Sequence, residues 1–223
     1  MLYLIPTPIG NLKDITFRAV DTIGEVDYLL VEDTRTTGKL LKHLGLSVRM
    51  VPFHAHNEHQ MLDKVIADLQ SGLKIGLLSD AGSPGLSDPG FLLIRACRQL
   101  GLDATALPGP SAAVTAAVAS GIPCDKFFFE GFLPHKKGRK SRLEYLSKLP
   151  ETFLLFESPY RLVKCLGELI THCGPDRKIA VCRELTKMYE EVKYGTAEEI
   201  KQYYDSSSRP RGEIVIVVDG NRK

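Results

Sequence analysis

The chain has 223 residues and a formal net charge of +2, with 43% hydrophobic and 25% charged residues. This composition is typical of a soluble globular protein with one large domain or two small ones. No apolar run approaches the length of a membrane span, and no basic region precedes the first apolar run. These features exclude a transmembrane helix and a signal peptide, so we expect a cytoplasmic protein without membrane contact.

The cysteines do not form a recognisable framework. They are odd in number and widely spaced, which argues against disulfide pairing and against a zinc knuckle. We expect buried free thiols at Cys97, Cys124, Cys165, Cys173 and Cys182.

Short β-rich apolar runs alternate with amphipathic helical patterns along the first half of the chain. This alternation predicts a parallel sheet with helices on both faces. The predicted strands are 2–5, 27–31, 49–53, 75–79 and 103–107, and the predicted helices are 14–23, 36–45, 58–71, 89–101 and 111–120.

A second α/β set follows the segment Gly121-Ile122-Pro123, which ends the preceding helix. The predicted strands here are 127–131, 152–156, 178–183, 189–194 and 212–218, with helices at 139–148, 159–172 and 196–204. We therefore expect two α/β lobes, residues 1–120 and 121–223, with the active site in the cleft between them.

Small and polar residues follow three of the predicted strands. Ser79–Asp88 comes after one buried strand, and Pro6–Asn11 and Leu107–Ala112 repeat the arrangement after two others. Ligands of α/β proteins bind at the carboxyl ends of parallel strands, where small residues let the backbone approach closely. The alternative for the first segment is a tight loop in which Ser87 or Asp88 caps the next helix.

Further polar side chains follow the strand at 27–31. Glu32, Asp33, Thr34 and Arg35 either organise a polar substrate or include the N-cap of a helix, at Asp33 or Thr34. The histidine-rich segment 54–59 lacks further ligands at a defensible spacing, so we expect no metal site. Substrate contact, or a helix start at Asn57, is the favoured interpretation.

The second lobe has its own charged strand ends. Ser158 and Pro159 suit the N-cap and the first position of a helix. A cation in the first helical turn is unfavourable, so Arg161 is expected to pair with Glu157 or with an anionic ligand.

Residues 135–142 form the most basic segment of the chain and contain no acid. A solvated helix face usually carries both signs of charge, whereas this segment carries one. It therefore predicts attraction of phosphates, RNA foremost, and Arg209 and Arg211 add to it.

The familiar phosphate-binding and hydrolytic motifs are absent, since the sequence contains no GxGxxG, GxxxxGK[ST], HExxH or GxSxG. The segments present are Pro6-Thr7-Pro8-Ile9-Gly10-Asn11-Leu12, Glu32-Asp33-Thr34-Arg35, Ser79-Asp80-Ala81-Gly82-Ser83-Pro84, Asp88-Pro89-Gly90, Pro108-Gly109-Pro110-Ser111-Ala112, Glu130-Gly131-Phe132, Phe156-Glu157-Ser158 and Arg183-Glu184-Leu185-Thr186-Lys187. Together they resemble the ribosomal RNA small-subunit methyltransferase I family of the tetrapyrrole methylase superfamily.

The resemblance implies a two-lobed class III methyltransferase fold and a homodimer. It also implies methyl transfer from S-adenosylmethionine to the ribose 2′-hydroxyl of a cytidine in the decoding region, on small-subunit ribosomal RNA or on the assembled subunit. Longer family members continue past the second lobe, and we expect no such C-terminal extension here.

The resemblance also implies roles for individual residues. The cofactor-binding set is Pro8, Gly10, Asp80, Ala81, Gly82, Ser83, Pro110, Ser111, Ala112, Phe156, Glu157, Arg183, Glu184, Leu185, Gly212, Glu213 and Ile214. Position at the strand ends, and not the resemblance, gives the candidates for handling the hydroxyl proton, which are Glu32, Asp33, Arg35 and His54, followed by Asn11 and Glu157. Predicted RNA contacts are Asn11, Lys136, Lys137, Arg139, Lys140, Arg142 and Arg161.

Two other functions fit part of the pattern. The same fold and cofactor could serve a small tetrapyrrole-like substrate, against which the basic segment argues. A non-catalytic RNA-binding assembly factor would have no use for the cofactor loops.

Overall fold

A computed structural model describes residues 1–206 and 210–222 of the chain. Arg209, which the sequence predicts to add to the basic surface, lies outside the described residues. The chain divides into two compact units, Met1–Ser111 and Ala112–Lys223.

The first unit contains a five-stranded parallel sheet with the order β3-β2-β4-β1-β5. The strands are β1 (Leu2–Leu4), β2 (Tyr28–Val31), β3 (Met50–Pro52), β4 (Ile75–Leu78) and β5 (Ala104–Ala106). The helices are α1 (Phe17–Glu25), α2 (Thr34–Leu44), α3 (Glu58–Gln70) and α4 (Phe91–Gln99), and a 3₁₀ turn covers Leu12–Asp14.

Side chains alternate between the two faces of this sheet, and each face has its own core. Leu30 and Leu77 pack against Leu93 of α4, whereas Leu29 packs against Ile23 of α1. The connections after β1 and β2 therefore cover one face, while the connection after β4 covers the other. Because β4 lies between β1 and β2, its carboxyl end is the topological switch point where such sheets bind ligands.

The second unit contains a mixed sheet with the order β6-β7-β10-β8-β9, in which only β6 and β7 pair in parallel. The strands are β6 (Phe127–Phe132), β7 (Thr152–Glu157), β8 (Lys178–Arg183), β9 (Glu191–Thr196) and β10 (Ile214–Val218). The helices are α5 (Ala112–Ala119), α6 (Arg139–Leu146), α7 (Leu162–Cys173) and α8 (Ala197–Ser206).

Helix α5 belongs to the second unit, although the sequence-based division at 120/121 assigns it to the first. Helices α6, α7 and α8 cover one face of the second sheet, where Val181 is completely buried. The next residue points to the other face, and the Cys182 thiol donates to the Ala116 carbonyl of α5. The division therefore falls before Ala112, because α5 packs on this sheet.

Two helix starts differ from the sequence-based predictions. Helix α4 is not capped by Ser87 or Asp88: a carboxylate oxygen of Glu58 accepts hydrogen bonds from the Gly90 and Leu92 amides, both at 3.1 Å. Helix α7 begins at Leu162, because Ser158 accepts from the Tyr160 amide in a turn before the helix. In both cases a loop continues one turn further than the sequence pattern indicates.

All five cysteines are free, with Cys97, Cys165 and Cys182 buried and Cys124 and Cys173 partly buried. Across residues 1–206 and 210–222, no helix is long and apolar enough to cross a membrane.

Candidate active site

The loops after β1 and β4 are joined at the switch point of the first sheet. Thr7 and Gly82 exchange two backbone hydrogen bonds of 2.9 and 3.0 Å, and the Thr7 hydroxyl donates to the Ser79 carbonyl at 3.0 Å. These bonds hold the predicted cofactor segment 80–83 directly against the loop that contains Pro8 and Gly10. Two segments far apart in sequence therefore form one surface.

Two glycines permit the close approach of these loops. Gly82 has a φ of 79°, and a Cβ atom there would lie 3.6 Å from Ile9 and 3.8 Å from the Pro110 carbonyl oxygen. A Cβ atom on Gly109 would lie 2.7 Å from Pro6. Gly82 therefore supplies a left-handed backbone conformation that other residues rarely adopt, and Gly109 supplies the space that lets the loop after β5 approach Pro6. The need for Gly109 could not be found in the sequence.

Carboxylates gather at the same edge of the sheet. The Asp33 amide donates to the Asp80 carboxylate at 3.2 Å. Burial, followed by repulsion from Asp80, raises the pKa of Glu32. Burial, followed by repulsion from Glu32, raises the pKa of Asp88 to about 6. This edge thus holds like charges that its own cations do not neutralise.

Asp80 follows the same trend as its neighbours, because burial raises its pKa and the nearby Asp33 charge adds to the effect. Asp88 belongs to the loop 79–88 that the sequence predicts to face a ligand, but it is not among the predicted site residues. Asp88 and Asp80 are eight residues apart in a loop, and this spacing does not predict that their side chains lie close together. Only the fold shows that these carboxylates interact.

Asp33 and Arg35 play a local structural part. The Asp33 carboxylate caps α2 by accepting from the Arg35 amide at 2.8 Å, which confirms the N-cap interpretation. The Arg35 guanidinium also pairs with it at 2.6 Å, and these hydrogen bonds lower the pKa of Asp33 to about 2. Asp33 is therefore a weak base.

His54 lies after β3 and interacts electrostatically with Glu32. Its backbone amide donates to the Asn57 side chain at 2.8 Å, and Asn57 precedes α3 as the sequence predicts. Its ring Nδ1 atom is buried and lacks a hydrogen-bond partner among the described residues. Those residues include no cluster of three or more His, Cys, Asp or Glu arranged to hold a metal.

The remaining predicted residues of this unit lie in its loops. The Asn11 side chain caps the 3₁₀ turn by accepting from the Lys13 amide at 3.1 Å. Ala81 and Ser83 flank Gly82, while Pro110 and Ser111 end the unit and Ala112 starts α5.

The strand register of the second unit brings its predicted cofactor segments together. Ile214 on β10 pairs with Glu157 on one side and with Arg183 on the other. The Glu184 amide donates to the Glu213 carbonyl at 2.9 Å, and the Glu213 amide donates to the Glu184 carboxylate at 3.0 Å. Segments 156–157, 183–185 and 212–214 therefore meet at one end of the sheet.

The side chains of these segments divide between the two faces of the sheet. Phe156 contacts the rings of Phe129 and Phe132, with centroids 5.0 and 5.5 Å apart. Arg183 shares the face of Val181, opposite Cys182, because successive side chains of a strand alternate. A ligand against Phe156 would thus meet the backbone of Arg183 and not its guanidinium.

Arg139, which the sequence predicts to contact RNA, is instead buried in ion pairs within the second unit. The residue is 7% exposed, and its guanidinium pairs with Glu157 at 3.3 Å and with Glu168 at 2.7 Å. Arg161 pairs with the same Glu157 at 2.8 Å, as expected from its position near the helix start, and also contacts His135. Glu157 is 3% exposed, so its carboxylate is fully engaged within the unit.

The rest of the basic segment is divided between paired and exposed residues. Arg142 forms two hydrogen bonds of 2.6 and 2.5 Å to the Glu130 carboxylate, so an internal partner neutralises its charge. Lys136, Lys137 and Lys140 are exposed. Lys140 also lies 3.9 Å from the Glu144 carboxylate, but this pair is loose and exposed, so all three lysines remain open to a phosphate.

Comparisons with known proteins agree with this architecture. The family model described as Tetrapyrrole (Corrin/Porphyrin) Methylases matches residues 1–201. Diphthine synthase superposes with a TM-score of 0.76 at 15% identity, covering 98% of this chain and 89% of the other. The uroporphyrin-III-C-methyltransferase of Thermus thermophilus gives 0.67 at 20% identity, covering 97% and 93%. The chain is therefore a methyltransferase of the tetrapyrrole methylase class, which confirms the predicted fold.

Relatives of higher identity define the family. The ribosomal RNA small subunit methyltransferase I of Vibrio cholerae is 46% identical over 224 residues, which cover 100% of this chain and 78% of the relative. The Escherichia coli O157:H7 protein of the same name is 43% identical, with 99% and 78% covered. This chain belongs to the ribosomal RNA small subunit methyltransferase I family, as its motifs indicate.

Proposed function

We propose that this protein transfers a methyl group from S-adenosylmethionine to the ribose 2′-hydroxyl of a cytidine in the decoding region of small-subunit ribosomal RNA. The observation that best supports this proposal is the arrangement at the edge of the first sheet. There, the joined loops at Thr7 and Gly82 border the carboxylates Glu32, Asp80 and Asp88. The names of the Vibrio and Escherichia relatives support the RNA substrate.

The residues at this edge fit the proposed cofactor. S-adenosylmethionine carries a sulfonium and an ammonium, and a positively charged ligand relieves repulsion among neighbouring carboxylates. Burial is the main cause of the raised pKa values of Glu32, Asp80 and Asp88, and repulsion from neighbouring carboxylates adds to it. Residues 80–83 would hold the amino-acid end of the cofactor, and segments 156–157, 183–185 and 212–214 would contact its adenosine.

The bound cofactor supplies a methyl group that is already activated for transfer. The chain must then orient the ribose hydroxyl, exclude water and accept a proton. Of the two predicted acidic candidates, Glu32 is the stronger base, because its pKa is raised while that of Asp33 is lowered to about 2. His54, with its unpartnered Nδ1 atom, is placed to orient Glu32 or the substrate. Arg35 is committed to Asp33.

The remaining expectations belong to the same proposal. The protein acts in the cytoplasm as a homodimer, on ribosomal RNA or on the assembled small subunit. Exposed lysines at 136, 137 and 140 favour a polyanionic substrate over a small tetrapyrrole.

Methyl transfer from labelled S-adenosylmethionine to small subunits that lack the modification tests the proposal. Primer extension at low nucleotide concentration and mass spectrometry of the digested RNA then locate the methyl group. We expect one ribose-methylated cytidine in the decoding region, and a strongly reduced rate for Glu32→Gln. A methylated base, labelling of a tetrapyrrole alone, or RNA binding without transfer would contradict the proposal.

A further inference from the structure

The second unit contains a large groove that the proposed methyl transfer does not use. Its volume is about 1210 Å³, and its lining includes Tyr160, Tyr189, Tyr203, Arg183 and Arg211. Sites for small molecules usually measure about 300–1,000 Å³. The groove is therefore large enough for an extended ligand.

The groove lies on the opposite face of the sheet from Phe156. Arg183 lines it and shares the face of Val181, which α7 and α8 cover. Tyr203 of α8 lines it as well. The α5 face, to which Cys182 points, is on the other side of the same strands. The groove thus lies on the other face of the sheet from Phe156, although Arg183 and Gly212 of its lining belong to segments proposed for the adenosine.

A partly exposed hydrogen-bond network fixes part of the lining. The Glu191 carboxylate accepts from the Tyr203 hydroxyl at 3.0 Å and from the Tyr204 hydroxyl at 2.9 Å. Arg183 lies 3.5 Å from the same carboxylate and donates to the Arg211 carbonyl at 3.3 Å. These contacts lower the pKa of Glu191 despite its burial, so the network stays charged and rigid at neutral pH. One wall of the groove is therefore preorganised.

Two tyrosines of the lining are strongly exposed. Tyr160 is 78% exposed and Tyr189 is 69% exposed. Tyrosine presents a large rigid ring at low entropic cost, which is why it is enriched at binding surfaces. The exposure of two such rings in one groove indicates a ligand with flat faces.

We propose that this groove binds unpaired nucleobases of the RNA strand next to the methylated nucleotide. The inference rests on the proposed function and adds a recognition site to it. Single-stranded RNA is recognised by stacking of its bases on aromatic rings and guanidinium planes, and duplex RNA does not offer its bases in this way. Tyr160 and Tyr189 provide the rings, and the exposed Arg211 provides a guanidinium for a base or a phosphate.

The composition of the lining favours nucleobases over a peptide. Grooves that accept an amphipathic helix are built from aliphatic side chains and methionine. In the described part of the chain, this groove is lined by tyrosine, proline, glycine, arginine and glutamate, without any Leu, Ile, Val or Met. Rings with polar edges suit bases, which are flat and have polar edges themselves.

Fluorescence anisotropy with a labelled single-stranded oligonucleotide of the decoding region tests this inference, using the full chain. We expect Tyr160→Ala and Tyr189→Ala each to weaken binding by about five- to 150-fold, which is the range for loss of one stacked base. Tyr160→Phe and Tyr189→Phe should retain binding, because stacking needs the ring and not the hydroxyl. Affinity for a duplex of the same sequence should not change.

Tyr194→Ala is the matched control, since Tyr194 is 55% exposed in the same unit and does not line the groove. Affinity for S-adenosylmethionine, measured by calorimetry, should be the same in all variants. Unchanged binding of single strands by the Tyr160→Ala/Tyr189→Ala double variant would overturn the inference. Dissociation of a wild-type dimer by the same variant, with RNA affinity intact, would assign the groove to contact between copies and overturn it too.

The proposed function is judged separately, by methyl transfer with the wild-type protein. If the wild type methylates small subunits and the tyrosine variants bind single strands normally, only the groove inference fails. If the wild type methylates no RNA but the variants lose single-strand binding, the methylation proposal fails and the groove remains an RNA site.

Discussion

The two sheets end in opposite electrostatic arrangements. At the edge of the first sheet, Glu32, Asp80 and Asp88 repel one another, and their pKa values are raised. In the second unit, the buried Glu157 carboxylate is surrounded by Arg139 and Arg161, which neutralise it. Both arrangements use charged residues that follow strands, yet only the first leaves charge uncompensated.

This difference separates charges that are available to a ligand from charges that maintain the fold. A buried ion pair with several hydrogen bonds stabilises its own surroundings and gains nothing from a further ligand. Like charges held close together are stabilised when a cation binds. This difference supports our proposal that the cationic end of the cofactor lies against the first sheet, whereas Arg139 and Arg161 serve the structure of the second unit.

The largest expected effect comes from breaking the ion-pair network of the second unit. Glu157→Gln removes the charge that Arg139 and Arg161 share, while Arg139 keeps its pair with Glu168. We expect a loss of about 1.5–3 kcal/mol in the free energy of unfolding, the range for hydrogen bonds to charged groups. Urea denaturation measures it. Asp33→Asn is the matched control. The substitution keeps a residue that caps helices, and the ion pair with Arg35 that it removes is largely exposed and contributes little to stability. Equal destabilisation by both changes would contradict the contrast between the two units.

Removing the exposed lysines should weaken RNA binding without affecting the fold. Lys136→Gln, Lys137→Gln and Lys140→Gln together remove up to three phosphate contacts, each worth roughly 0.7–0.9 in the slope of log affinity against log salt. At about 0.1 M salt the affinity should fall by up to roughly 100-fold. Binding of small subunits across a salt series measures both quantities.

Arg142→Gln serves as the comparison for the lysine variant, because Arg142 already pairs with Glu130. Its salt slope should match that of the wild type. A steeper loss for Arg142→Gln than for the three lysines would show that the exposed side chains are not the RNA contacts.

Substitution of Gly82 should strongly reduce the affinity for the cofactor, while the free energy of unfolding falls only modestly. Gly82→Ala places a Cβ atom at a φ of 79°, which costs roughly 1–2 kcal/mol and obstructs the proposed approach of the cofactor to the backbone. Gly45→Ala has the same backbone strain, at a φ of 68°, with nothing within 4 Å of the added atom. We expect similar losses of stability, but a tenfold or larger loss of affinity for S-adenosylmethionine by calorimetry only in Gly82→Ala.

The smallest effect concerns the pH dependence of Asp88. Its pKa is raised from 3.8 to about 6, so the stability it contributes as a neutral group is lost as the pH rises through this window. Asp88→Asn should therefore melt at the same temperature as the wild type near pH 4 and a few degrees higher at pH 7, while binding the cofactor more weakly. Melting curves from pH 4 to 8 test this, with the exposed Asp63→Asn as control. A melting temperature of Asp88→Asn below that of the wild type at pH 7 would contradict the raised pKa of Asp88.

Much of the fold could be predicted from the sequence. Hydrophobic periodicity located every strand and helix, with ends that differ by only a few residues, because this pattern is local. Residues 6–11, 32–35 and 79–88 could be placed at one edge of the first sheet, because residues that follow buried parallel strands lie together there. The motifs of these loops also indicated the family.

The pairing of charges was decided only by the tertiary structure. Arg139 joins Glu168 and Glu157, which are 29 and 18 residues away in sequence, and Glu58 caps a helix that begins 33 residues later. Such contacts depend on the order of the strands and on which face each helix covers, and no local pattern encodes them. The sequence of residues 135–142 therefore shows by itself that positive charge is concentrated in this segment. Only the fold decides which of those charges are neutralised within the protein.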